Sequence, residues 1–119
     1  MKRQEIESSL KELNELVLQG KMLEAFDKYY HEDVSMQENN QEPTVGKASN
    51  RNRELEFLDS ITEFRGASMN GFAVTGDLSF VIWSYDYIHK EWGVRKYTQV
   101  SVQRWKDNQI IHEKFYYGN

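Results

Sequence analysis

Gly76-Asp77-Leu78-Ser79-Phe80-Val81-Ile82-Trp83-Ser84-Tyr85-Asp86-Tyr87-Ile88-His89-Lys90-Glu91-Trp92-Gly93 is the stretch that decides the fold. Its centre, Phe80-Val81-Ile82-Trp83, is apolar at four consecutive positions, so a strand here is covered on both faces. One face would meet helices and the other a second subunit. Gly76-Asp77 before it and Lys90-Glu91-Trp92-Gly93 after it carry turn chemistry and bound a strand over 78–90. Working outward, the same reading predicts strands near 64–75, 94–105 and 109–117, the last two joined at Asp107-Asn108. Three sequential hairpin links make an antiparallel meander. Along 94–105, Val94, Thr98, Val100 and Val102 fall on one face and Tyr97, Gln99, Ser101, Gln103 and Trp105 on the other. The first row suits a flat packed interface, the second a mixed polar and aromatic cavity.

Upstream, the period changes from two to about 3.6. Ile6, Leu10, Leu13 and Val17 predict an amphipathic helix over 3–19, with Gly20 where a C-cap falls. Met22 or Leu23, Phe26 and Tyr29 or Tyr30 predict a second helix of about three turns, ended by the polar His31-Glu32-Asp33. Val34-Ser35-Met36-Gln37 alternates like a short strand, and 38–43 reads as a loop containing the chain's single proline. From Gly46, Ala48, Leu55, Leu58 and Ile61, widened by Phe57, predict a third helix with Arg51, Arg53, Glu54 and Glu56 on its wet side. Helices followed by a run of strands are an α+β arrangement, and residues 1–119 read as one domain with one core.

Charge and composition exclude several functions. With 15 basic against 19 acidic residues, scattered along the chain, there is no basic stripe for a phosphate backbone, and no nucleic-acid partner is expected. No apolar run approaches the roughly 18 residues of a membrane span, so no membrane partner is expected either. Glu5, Glu7, Lys11 and Glu12 interrupt any secretory h-region, and the absence of cysteine fits a reducing compartment; a cytoplasmic location is expected. Thiolate catalysis and Cys-based zinc sites are excluded. Neither HExxH nor an HxH pair occurs, nor G-x-S-x-G, nor a glycine-rich phosphate loop, so neither a metal nor a cofactor is expected.

Phe26-Asp27-Lys28-Tyr29-Tyr30-His31-Glu32-Asp33-Val34-Ser35-Met36 and Val102-Gln103-Arg104-Trp105-Lys106-Asp107-Asn108-Gln109-Ile110-Ile111, in this element order, resemble the NTF2-like superfamily and its SnoaL-like group. The resemblance spans nearly the whole chain. It implies a cystatin-like cone: three N-terminal helices packed on a curved, mainly antiparallel sheet, with a pocket inside and often a dimer through the sheet's outer face. The superfamily includes ketosteroid isomerases, polyketide cyclases, hydrolases and non-catalytic binders, so the fold does not choose among them. Counted from Tyr30, the isomerases' carboxylate base corresponds to Glu38. Their tyrosine donor corresponds to Asn14 and their protonated aspartate to Ser101, so neither oxyanion donor is kept in kind and steroid isomerisation is disfavoured.

Two acid/base candidates result. Glu38 is a general base when the cone walls desolvate it, or else an exposed loop acid beside Asn39 and Asn40; His112, on the last strand, is a titrating partner or a hydrogen-bonded structural histidine. His31 and His89 are expected in solvent. The expected ligand contacts are Asn14, Tyr30 and Met36 from the first half and Trp83, Tyr97, Gln99, Ser101, Trp105 and Phe115 from the sheet. Trp92 reads as a hairpin tip or a subunit contact. The leading expectation is a homodimeric protein with a pocket for a small cyclic or hydrophobic metabolite, either binding it or performing cofactor-free acid/base chemistry of isomerase, cyclase or hydrolase type on it. The alternative is a non-catalytic dimeric interaction module whose cavity is filled by side chains.

Overall fold

The computed structural model describes residues 1–118. Helix α1 (Arg3–Leu18) buries Ile6, Leu10 and Leu13, with Ser9 and Asn14 beside them. Gly20, at φ 78°, ends it: its N–H donates to the Val17 carbonyl at 3.0 Å and that of Lys21 to Leu16 at 2.8 Å, a left-handed cap suited to glycine. Helix α2 (Met22–Tyr29) turns back and buries Ala25, Phe26 and Tyr29. It is a turn shorter than expected, because strand β1 (Tyr30–Glu38) begins at once. His31-Glu32-Asp33 is thus extended chain rather than a break, held where Tyr30 pairs with Ile110.

A two-residue strand, β2 (Thr44–Val45), absent from the sequence reading, pairs with β1 before helix α3 (Lys47–Ser60). Four long strands follow: β3 (Ile61–Thr75), β4 (Leu78–His89), β5 (Gly93–Lys106) and β6 (Gln109–Tyr117). The sheet order is β2-β1-β6-β5-β4-β3; β1 and β6 run parallel and every other pair is antiparallel. This is the α+β arrangement read from the sequence. Three register shifts along β3–β4, two of them at Gly66 and Gly71, bend the sheet so that it wraps the helices. No helix among the described residues is long and apolar enough to cross a membrane.

The core fills the narrow end. Ile6, Leu10, Phe26, Val34, Val81 and Ile110 are at most 2% exposed and join helices to sheet. Helix α3 departs from its expected apolar face: Ala48 and Leu55 are exposed, Ile61 opens β3, and the buried side chains are Asn50 and Ser60. Asn50 earns its burial through three carbonyls, donating from Nδ2 to Thr44 and Gly46 at 2.9 Å and to Val34 at 3.3 Å, which ties α3 to β1 and β2. The inward stripe of α3, Asn50, Arg53, Glu54 and Phe57, faces a cavity rather than an apolar layer.

Candidate functional site

The wide end of the cone encloses a cavity of about 510 Å³. Alternation builds its sheet wall: Trp83, Tyr85, Tyr87 and His89 from β4, Arg95, Tyr97, Gln99, Ser101 and Gln103 from β5, and Glu113, Phe115 and Tyr117 from β6. Asn14 of α1, Tyr30, Met36 and Glu38 of β1 and the inward stripe of α3 complete it. The exposed Gln41, Glu56 and Trp92 mark its mouth.

Of the expected site residues, Asn14, Tyr30, Met36, Glu38, Trp83, Tyr97, Gln99, Ser101 and Phe115 lie on this wall, and Trp105 and His112 do not. Trp105 is 3% exposed at the closed end, its ring edge-on to Tyr29. His112 faces away because of one extra residue. From the two-residue turn at Asp107-Asn108, an unbroken ladder would set His112 opposite Gln103. Instead a bulge at Ile111 pairs Trp105 with Ile110 and then Arg104 with His112, which turns His112 to the outer face and brings Glu113 inward opposite Gln103. His89, expected in solvent, is buried, stacked on Trp92 at 4.1 Å, and its Nδ1 accepts the N–H of Glu91 at 3.0 Å.

Glu113 ends a directed hydrogen-bond chain. The Trp105 indole N–H donates to Ser79 Oγ at 2.8 Å, the Ser79 hydroxyl to Gln103 Oε1 at 2.6 Å, and Gln103 Nε2 to Glu113 Oε2 at 2.8 Å. Glu113 Oε1 accepts the Tyr30 hydroxyl. Indole can only donate, so the tryptophan fixes the polarity of the whole chain, and both carboxyl oxygens are met by donors. Burial pushes Glu113 up to about 7 against the pull of those two hydrogen bonds.

Glu54 is the second carboxyl pushed up to about 7, by burial first and then by the charges of Glu113 and Glu38. No side chain or backbone N–H donates to it among the described residues, and the surface it retains faces the cavity. Glu38 differs: it is half-exposed, and the Arg53 guanidinium pairs with it at 3.2 Å. Around these acids, Tyr85, Tyr87, Tyr97 and Tyr117 form a continuous aromatic wall, the Tyr87 and Tyr97 hydroxyls 3.1 Å apart. Burial holds the Tyr85 and Tyr97 hydroxyls well above their ordinary value, so both stay protonated and able to donate. No group of three His, Asp or Glu side chains among the described residues is placed to hold a metal ion.

Residues 1–117 match the SnoaL-like domain. The chain belongs to the SnoaL-like family. A crystal structure of a candidate SnoaL-like polyketide cyclase from Mesorhizobium loti is 27% identical, with a TM-score of 0.86 over 94% of this chain and 98% of that one. An NTF2-like protein of unknown function from Burkholderia xenovorans is 16% identical, with a TM-score of 0.79 over 98% of this chain and 84% of that one. A protein of ketosteroid isomerase-like fold from Catenulispora acidiphila, solved in complex with trimethylamine, is 12% identical, with a TM-score of 0.72 over 87% and 80% of the two chains. No protein of curated function matches the sequence significantly. The latter two likenesses establish the fold alone. Glu54 and Glu113 were missed for a shared reason: an acid on an amphipathic helix or a mixed strand reads as solvated, and only the stripe and the bulge turn them inward.

Proposed function

We propose that this SnoaL-like protein binds a small cyclic or aromatic organic molecule in the cone and performs cofactor-free proton transfer on it, with Glu54 as the proton acceptor. The observation that carries the reading is a carboxyl on a cavity wall that burial pushes up to about 7 and to which no group among the described residues donates. Glu113 holds the inner wall's polarity, and the Tyr85 and Tyr97 hydroxyls supply donors toward charge that develops on the substrate. A volume of about 510 Å³ fits a drug-sized metabolite and argues against a cavity packed shut by side chains. The same reading takes the outer sheet face as the contact between two copies of the chain: Val100 lies in register between Ile82 and Tyr116, which are 40% and 46% exposed. Lack of cysteine fits a cytoplasmic setting.

The test is a thermal-shift screen against small organic metabolites, followed by NMR turnover assays on every binder. A ligand at 100 times its Kd stabilises by about 2.7 kcal/mol, a shift that is readily read. Binders that are turned over by the native chain support the reading. A library without a binder, or binders seated elsewhere, would overturn it.

A further inference from the structure

Five of the six arginines, Arg3, Arg51, Arg53, Arg65 and Arg104, pair with a carboxylate. Arg95 pairs with none among the described residues, although it lies on the wall of an acidic cavity. Its Nε is buried with no hydrogen-bond partner. The guanidinium instead lies over two rings, 5.8 Å from the centre of Trp92 and 5.4 Å from that of Tyr97. Aromatic faces hold the charge in place but accept no N–H in its plane, so the fork stays open. Glu38, a carboxylate on the same cavity wall, is already taken by Arg53. A buried charged donor left unmet is costly, and no acceptor meets it among the described residues.

Resting on the reading that the cavity takes a small molecule, we infer that this ligand carries a carboxylate that docks on Arg95 near the mouth, with its ring system lying inward along the tyrosine wall. A planar guanidinium accepts a carboxylate through two parallel N–H donors, which fixes the ligand's orientation as well as its place. A phosphate fits less well: it brings up to two charges beside Glu38, Glu54 and Glu113, and no glycine-rich loop or second free guanidinium lies there to balance them. Anchored at one end, the ligand presents its inner end to Glu54. The assignment thus gives the substrate class: a cyclic or aromatic carboxylic acid.

Matched probes test it on the full chain. The ¹H–¹⁵N spectrum, including the Arg95 Nε–H resonance, is followed while 2-naphthoate or its uncharged counterpart 2-naphthamide is added. The expected result is that naphthoate binds at least about tenfold tighter than naphthamide and moves the Arg95 Nε–H resonance. Arg95→Met should abolish that preference, and Arg95→Lys, which keeps the charge but not the fork, should recover only part of it. Without ligand, Arg95→Met should melt no lower than the native chain, since it removes an unmet buried donor; a purely structural arginine would instead destabilise when lost. Equal binding of both probes, with cavity resonances shifting, overturns the carboxylate anchor and leaves the cavity reading intact. Cavity resonances that move with neither probe count against both.

Discussion

Two glutamates pushed up to about 7 line the same cavity, Glu113 from β6 and Glu54 from α3, and the two are built differently. At the closed end, Glu113 is fully buried and its oxygens take the Tyr30 and Gln103 donors, at the end of a chain that begins at Trp105. On α3, Glu54 lines the cavity with no donor to it among the described residues. Desolvation sets the proton affinity of both, and hydrogen bonding decides what each can do with a proton. Protonating Glu113 turns an oxygen that accepts into one that must donate; the indole fixes the Gln103 side, so the Tyr30 hydroxyl has to turn round and accept. Protonating Glu54 disturbs nothing, and that freedom suits a base.

The largest effect expected from breaking this contrast is at the anchor of the closed end. Trp105→Ala empties a core site and removes the donor that starts the chain, so it should cost about 3 to 5 kcal/mol in urea melts. A loss under about 1 kcal/mol would mean that the chain does not depend on it. Next comes the pH dependence of stability. Glu113 keeps its proton up to about 7 in the folded chain and only up to its ordinary 4.5 when unfolded, so between those values the folded state holds more protons. Stability from this group is therefore fully present below about 4.5 and declines as pH rises to about 7, by up to about 3 kcal/mol. The difference between native chain and Glu113→Gln should carry that slope; parallel curves would refute it. Third is Glu54. In an active assay, Glu54→Gln should lower turnover about a hundredfold while leaving ligand affinity nearly intact, and the native rate should rise with pH through about 7.

How much of this was legible follows the physics of each element. The two-residue turns, the apolar run at Phe80-Val81-Ile82-Trp83 and the alternating rows of β5 gave the sheet, because period-two patterning survives wherever one face is wet. Helix α1 was equally plain from Ile6, Leu10 and Leu13 and its glycine cap. What stayed hidden depends on tertiary context. The stripe of α3 lines a polar cavity, so its inward residues, Asn50, Arg53 and Glu54, look like a solvated face. On β6, a single extra residue at Ile111 exchanges His112 for Glu113, and no residue type in the sequence marks that bulge. Register, in short, decided which titratable side chain entered the cavity.

The smallest expected effect sharpens the contrast most, because it separates position from environment. Glu38 stands on the cavity wall, at the position that the sequence resemblance would give to a base, and Asn39 pins it there. The Asn39 N–H donates to the Phe115 carbonyl at 2.8 Å, its Nδ2 donates to the Tyr117 carbonyl at 3.0 Å, and its Oδ1 accepts the Tyr117 N–H at 3.0 Å. Its carboxylate is half-exposed and already engaged with Arg53, and an exposed ion pair of this kind contributes only about 0.2 to 1 kcal/mol. Glu38→Gln should therefore change turnover no more than a few-fold and stability by less than about 1 kcal/mol, in the same assays that read Glu54→Gln. Freeing Arg53 should also lower the proton affinity of Glu54, since Glu38's negative charge is gone and Arg53's positive charge is left unpaired beside it. The rising limb of the pH profile should then move to lower pH. A hundredfold loss in Glu38→Gln, with Glu54→Gln nearly silent, would return the proton acceptor to the relatives' position and leave Glu54 a buried spectator.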